Sequence, residues 1–350
     1  MGLGKKTFLF LIFLLIGFGV FFWIIKIVGW QGIKEAISRI KGWQGLSILG
    51  LSFLIIIVST WKWREVLKSQ GVSVSFAELL KLYLGGFSIL FLAPMIVFGG
   101  EIFRSYALGK RKGVPFSKRL ASVFIDRVLE YTVQFLLLFF GVLFFLFKIG
   151  FSSLKITLFL GGIFLVFILV LTFFYFKVFR KESLLQFFLE KFLRKKISEN
   201  NRFLEVEKEV FKFFHPKAKW MWKGFGLAFL RSAVALLRTW VLIIFLGKVL
   251  GFVSVVSVLG FSYLSLMLPI PTAIGSHEAA QFFVFKFLEL PVTAAPAFTM
   301  IIRGAELIIA LIGVLILFKI GFGLIKNILL DTISKFTLNF NNNNKHYNNK

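Results

Sequence analysis

The feature that most restricts this chain is a series of apolar stretches, several longer than the ~20 residues that cross a ~30 Å hydrocarbon layer. Thr7–Val28, Trp43–Trp61, Lys118–Phe147, Leu154–Phe176, Trp220–Leu246 and Ala294–Phe318 each read as one membrane helix. Lipid offers no partner to a free backbone N–H or C=O, so a span must be a helix or part of a closed barrel. No period-two alternation accompanies these stretches, which leaves helices. Composition agrees, since 58% of the 350 residues are hydrophobic and 49 are Phe, more apolar surface than a soluble domain can hide. The expected fold class is an all-α integral membrane protein. Thr7–Val28 follows Lys5 and Lys6 but is too long for a signal h-region and has no small-x-small site, so it reads as a retained helix.

Two other apolar segments are interrupted. Leu79–Gly100 is broken by Gly85-Gly86, Pro94 and Gly99-Gly100, and Val253–Leu290 by Gly260, Pro269, Pro271 and Gly275. Backbone groups freed at membrane depth must be satisfied by protein or a wet cavity. Charge then sets the topology. Thirteen Lys/Arg lie from Lys177 to Lys223, which places that loop in the cytoplasm. Counting back two helices puts Arg104, Lys110, Arg111, Lys112, Lys118 and Arg119 there too. Lys62, Arg64 and Lys68, after Trp61, want the same side. All are met if Leu79–Gly100 is a re-entrant hairpin and Val253–Leu290 is a second hairpin or a helix pair, entered from outside. Six spans and two hairpins follow, in a multi-pass protein of the cell (plasma) membrane with both termini cytoplasmic. Lys34, Arg39 and Lys41 in the first external loop run against the rule.

Residues 1–330 thus form a single transmembrane domain. The 177–219 linker alternates charge with Phe and Leu, as amphipathic helices lying on the cytoplasmic leaflet do. The Asn-rich tail 331–350 reads as disordered.

The two interrupted segments also resemble one another. Gly86-Phe87-Ser88, Pro94, Gly99-Gly100-Glu101 and Arg127-x-x-Glu130 are matched by Gly260-Phe261-Ser262, Pro269 with Pro271, Gly275-Ser276-His277-Glu278 and Arg303-x-x-Glu306. From the first Glu to the R-x-x-E motif is 26 residues in one copy and 25 in the other. Under the topology above, the two R-x-x-E helices run in opposite directions. Halves of roughly 43–147 and 220–320 then make an inverted repeat, whose broken elements meet near the midplane around a substrate site.

A charge at the bilayer centre costs roughly 2.5–3.5 kcal/mol on insertion scales, so such residues pair, line water or bind something. Arg127 and Glu130, like Arg303 and Glu306, are three apart on one face and can neutralise each other. Arg231 and Arg238 share a face of a helix that has no acid. They meet an acid across the bundle, or their guanidinium forks take a phosphate. Glu101 and Glu278 follow Gly-rich breaks and can pair with Arg, carry a proton or cap the next helix. The substrate-binding candidates are therefore Arg127, Arg231, Arg238, Arg303, Glu101 and Glu278. Arg104, Asp126, Glu130 and Glu306 are the candidates for structural ion pairs, and the Gly and Pro residues named above are hinges.

The charge of +26 has its bases between apolar segments, where the positive-inside rule and anionic lipid account for it without nucleic acid. No Cys is present, and His277 stands without metal-ligating partners, so no metal or cofactor is expected. The P-loop, G-x-S-x-G, H-E-x-x-H and dinucleotide motifs are missing, which points away from an enzyme, although an acid–base pair could be hidden among the intramembrane charges.

Pro94…Gly100-Glu101-Ile-Phe-Arg104 with Asp126-Arg127-Val-Leu-Glu130, and Leu268-Pro269-Ile-Pro271…Gly275-Ser-His-Glu278-Ala279-Ala280 with Arg303, resemble the two halves of the lysylphosphatidylglycerol synthase transmembrane (flippase-like) family, over roughly Gly4 to Lys326. Met-Ile-Val-Phe after Pro94 replaces the family's common Gly/Arg-containing turn, and Glu130 stands where the family usually has Asp. Larger members join this module to a cytoplasmic synthetase that aminoacylates phosphatidylglycerol. This sequence has no such domain and resembles the stand-alone members. The resemblance implies a lipid translocase for an anionic or glycosylated headgroup, with membrane lipids and a separate lipid-modifying enzyme or glycosyltransferase as partners. A secondary transporter of a small anionic solute, and a non-catalytic scaffold for a membrane glycosyltransferase, are the alternatives.

Overall fold

A computed structural model describes residues 30–38, 40–92, 98–149, 154–183, 202–267 and 275–319, with Phe22 and Lys26. Among these residues every regular element is a helix. In chain order they are α1 (Trp30–Ser38), α2 (Gly42–Ser69), α3 (Phe76–Leu92), α4 (Gly99–Lys112), α5 (Phe116–Ile149) and α6 (Leu154–Phe179). Then come α7 (Arg202–Phe213), α8 (Lys219–Phe245), α9 (Phe252–Met267), α10 (Ser276–Phe287) and α11 (Ala294–Lys319). The rest of the first apolar stretch, the hinge residues Pro94, Pro269 and Pro271, and the tail 331–350 lie outside the described residues.

Among the described residues four helices are long and apolar enough to cross a bilayer: α2, α5 (over Phe116–Lys148), α8 and α11. Their outward faces are apolar too. Leu307, Ile308, Leu311, Ile312 and Leu315 of α11, and Leu165, Val166, Leu169 and Val170 of α6, are exposed, which is a lipid-facing pattern. The protein is an all-helical polytopic membrane protein.

The long helix α5 is the hub and packs against α2, α4, α6, α7, α8 and α9. The N–H of Gly113, in the left-handed region at φ 64°, bonds to the Gly109 carbonyl at 2.9 Å and closes α4, and Pro115 sets up the start of α5. α2 lies against α8, and register shows them to be antiparallel. Lys223, Arg231 and Arg238 of α8 reach Glu65, Ser59 and Ser52 of α2 in descending order.

Each interrupted segment is a helix pair, α3 with α4 and α9 with α10. α3 and α4 cross so closely that a Cβ on Gly100 would overlap the Gly86 carbonyl. The pairs also pack reciprocally. α9 sits on α5, where a Cβ on Gly141 would come within 3.0 Å of the Gly260 Cα. α3 sits on α11, where Ser88 Oγ donates to the Ala310 carbonyl at 2.6 Å and a Cβ on Gly313 would overlap Ser88. Each hairpin thus leans on the long helix that ends the other segment.

The linker helix α7 packs on the bundle. Its apolar side, Leu204, Val206, Val210 and Phe213, is buried, and the last three share one cluster with Ile125 and Leu129 of α5 and Val178 of α6. A twelve-residue helix gains more from this fixed apolar surface than from a fluid headgroup layer, so that side is not left for lipid.

Backbone contact at Gly141 and Gly260 yields a prediction. Gly260→Leu should separate α5 from α9 and lower stability by about 1–3 kcal/mol. Gly50→Leu, with open space around it, should change stability by less than about 0.5 kcal/mol. Thermal unfolding of both variants in detergent checks the contrast.

Candidate functional site

Apart from Glu65, which pairs with Lys68 and Lys223, the buried ionisable residues among those described do not scatter through the bundle. They form two clusters, each built where a hairpin, an R-x-x-E helix and α8 meet. The local rules place them. In α4, Phe98 is the cap and Glu101 is the third helical residue, and in α10 Gly275 is the cap and Glu278 the third. A Glu at that position can reach back to the cap and sits at the positive end of the helix. Glu278 Oε2 does so, accepting the Gly275 N–H at 2.7 Å. Gly275 has φ 82°, a conformation that a side chain would strain.

The first cluster is one connected network. Asp126, with its side chain fully buried, takes Arg104 Nη1 at 3.0 Å and Lys62 Nζ at 3.2 Å. Lys62, equally buried, also reaches Glu130 Oε2 at 3.2 Å and donates to the Asp126 carbonyl at 2.9 Å. Glu130 is the node of the network. It further accepts Arg231 Nη2 at 2.9 Å, Arg127 Nη1 at 3.4 Å and the Gln134 amide at 3.3 Å. Arg127 closes the network through an ion pair with Glu101. Arg104 is held between Trp63 and Tyr83, its guanidinium carbon 4.9 and 4.6 Å from their ring centres.

In the second cluster Arg238 Nη1 meets Glu306 at 3.3 Å and donates to Ser52 Oγ at 2.9 Å, while Arg303 Nε lies 3.8 Å from Glu278 Oε1. His277 is buried beside them. Nearby, Gln281 Nε2 joins α10 to α9 through Ser262 Oγ at 2.8 Å and the Val258 carbonyl at 3.2 Å.

All ten named candidates therefore fall in the two clusters. Two details, the Arg303–Glu306 bridge and the place of Lys62, differ from the sequence reading. Arg303 and Glu306 do not bridge each other among the described residues. Arg303 turns to Glu278 of the hairpin and Glu306 to Arg238 of α8. The acids that α8's arginines meet across the bundle are Glu130 and Glu306. Lys62, read as a cytoplasmic charge, is buried, because α2 runs on to Ser69 and turns it inward. The spacing held a signal for it: Ser52, Ser59 and Lys62 lie at i, i+7 and i+10, one helical face, and all three are buried.

Buried polar atoms without a hydrogen-bond partner among the described residues collect here. They include Arg231 Nη1, Arg238 Nε, Arg303 Nε, Tyr263 Oη, His277 Nε2 and Gln281 Oε1. Donors outnumber acceptors, which suits an anion with several oxygens.

Removing one partner of a buried ion pair costs about 3–5 kcal/mol, whereas a surface pair is worth about 0–1 kcal/mol. Lys62→Met should therefore destabilise the protein by about 3–5 kcal/mol. Lys68→Met on the same helix breaks a half-exposed pair with Glu65 and should cost under about 1 kcal/mol. Unfolding midpoints in detergent decide between this and a cytoplasmic Lys62, for which both changes would be small.

Residues 10–313 match the family described as the lysylphosphatidylglycerol synthase TM region. Among curated proteins, a UPF0104 membrane protein of Methanocaldococcus jannaschii is 27% identical over 263 residues, covering 72% of this chain and 77% of that one. Another, from Methanothermobacter thermautotrophicus, is 29% identical over 106 residues, 30% of this chain and 31% of its own. No solved structure matches the chain significantly. With most of its length matched, the chain belongs to the lysylphosphatidylglycerol synthase transmembrane-region family.

Proposed function

We propose that this protein is a lipid translocase, which passes an anionic or glycosylated headgroup across the plasma membrane along a polar seam between its two hairpins. The observation that carries this reading is the surplus of donors left after the ion pairs are made, above all Arg231 Nη1 and Arg238 Nε. A purely structural network gains by closing on itself, since each unmet buried donor is a penalty. Phosphate oxygens would meet these N–H groups, and guanidinium forks suit them. Arg127, Arg231, Arg238 and Arg303 hold the headgroup in this reading, and Glu101 and Glu278 balance their charge.

Stretches 43–147 and 220–320 act as inverted repeats, with the 177–219 linker and both termini cytoplasmic. Reciprocal hairpin packing supports this, as do the matching Glu101–Arg127 and Glu278–Arg303 pairs, each joining the third residue of a hairpin arm to an R-x-x-E helix. Gly86 and Gly260, expected as breaks, lie inside the continuous helices α3 and α9, where they allow close packing, and the turns that start α4 and α10 at Phe98 and Gly275 give the repeats their freedom to rock. A separate lipid-modifying enzyme or glycosyltransferase would supply the cargo. The mutual pairing of the acids also fits a scaffold for such an enzyme, which would move no lipid.

Liposomes holding the purified protein, with fluorescent phosphatidylglycerol or a fluorescent glycolipid, separate the two. Dithionite should quench more than the outer half of the signal in a protein-dependent way. Arg231→Ala with Arg238→Ala should slow that quench by roughly tenfold or more, the scale of lost hydrogen bonds to charged groups. An unchanged rate in the variant removes the arginines from the path. Protein-independent quenching of both lipids favours the scaffold.

A further inference from the structure

The two clusters differ in charge. The first holds four cations, Lys62, Arg104, Arg127 and Arg231, against three carboxylates, Glu101, Asp126 and Glu130, an excess of one. The second holds Arg238 and Arg303 against Glu278 and Glu306 and is balanced. A buried excess charge is costly unless an opposite charge meets it, so the first cluster is ready for one anion as it stands. The second is not, unless it gains a positive charge.

His277 is the group placed to supply that charge. It is 7% exposed and its Nε2 has no hydrogen-bond partner among the described residues, while burial and the charges of Arg303 and Arg238 all disfavour a proton on the ring until an anion offsets them. In the alignment of Glu101 with Glu278 it occupies the position of Gly100, so the first half has no counterpart. The charged or titratable groups of the elements around it are Arg238 on α8, Tyr263 on α9, Glu278 on its own helix, and Arg303 and Glu306 on α11. A proton on the ring makes three cations against two acids, the same excess as in the first cluster. That third positive charge is offset only when an anion arrives beside it, and the linkage is reciprocal: whatever favours the proton favours the anion.

We propose that His277 takes up one proton as an anion binds beside Arg238 and Arg303, making the second half of the seam a proton-coupled anion site. This rests on the reading of the seam as an anion path and adds a driving force to it: a proton gradient would load the second half preferentially on the acidic side. The chemistry recognised is a phosphate-type anion, whether a lipid headgroup or a free ion.

Calorimetric titration of the detergent-solubilised protein, with short-chain phosphatidylglycerol in one series and inorganic phosphate in another, tests it. Each titration is repeated in two buffers of different ionisation enthalpy and across pH 5–8. Binding should take up close to one proton per anion, with affinity rising about tenfold per unit fall in pH where the ring titrates. His277→Gln should retain binding at the first cluster and lose both the uptake and the slope. His215→Gln, on the exposed linker, should change neither. Whichever ligand shows the uptake names the source. Binding without proton uptake, or uptake that survives in His277→Gln, overturns the coupling while leaving the anion path standing. Failure of both ligands to bind overturns the anion path, and the coupling with it.

Discussion

A buried positive charge in a membrane protein must be met from another helix, and this requirement organises the whole bundle. Glu130 illustrates it. One carboxylate on α5 receives Lys62 from α2, Arg231 from α8 and Arg127 from its own helix, which itself holds Glu101 of α4. Desolvating any member alone costs several kcal/mol, so the helices cannot separate without leaving charges unmet. The apolar packing around α5 supplies most of the contact area, but among lipid tails apolar area alone does not select one arrangement of helices. Charges and close glycine contacts do. Gly100 on Gly86, Gly141 on Gly260 and Gly313 against Ser88 let backbones approach to the distance at which the ion pairs close.

The helix α8 joins the two clusters. Its arginines, seven residues apart, take the acid of one R-x-x-E motif each, and their second contacts are serines seven residues apart on the antiparallel α2. A shift of either R-x-x-E helix must therefore be felt at α8. An inverted-repeat carrier needs such an element between its halves, because exposure to one side has to be linked to closure of the other. The hairpins add polarity: the first turns of α4 and α10 carry Glu101 and Glu278 at the positive ends of their helices, facing Arg127 and Arg303.

Much of this was legible in the sequence, for definite physical reasons. Spans are visible because lipid forces long apolar runs, and the hairpins because Gly and Pro interrupt them. The R-x-x-E motifs and their Glu partners stood out because acids are rare in apolar helices. Pairing was less legible. A three-residue spacing made an Arg303–Glu306 bridge look natural, but Glu278, brought close by a turn some 25 residues upstream, takes the arginine instead. Lys62 was missed because a lysine just past an apolar run resembles a boundary charge, and only the face it shares with Ser52 and Ser59 betrays it. The linker helix α7 was read by its amphipathicity, which is the same whether the apolar side meets lipid or Leu129 of α5.

The central claim is that charges paired across the bundle, rather than within single helices, hold the seam together. A double-mutant cycle on Arg231→Met and Glu130→Gln, read by unfolding in detergent, measures this most directly. The account predicts that the two changes together cost less than the sum of each alone, by a coupling of about 1–3 kcal/mol. Additivity to within about 0.5 kcal/mol would mean that the two residues do not depend on one another, and would contradict it.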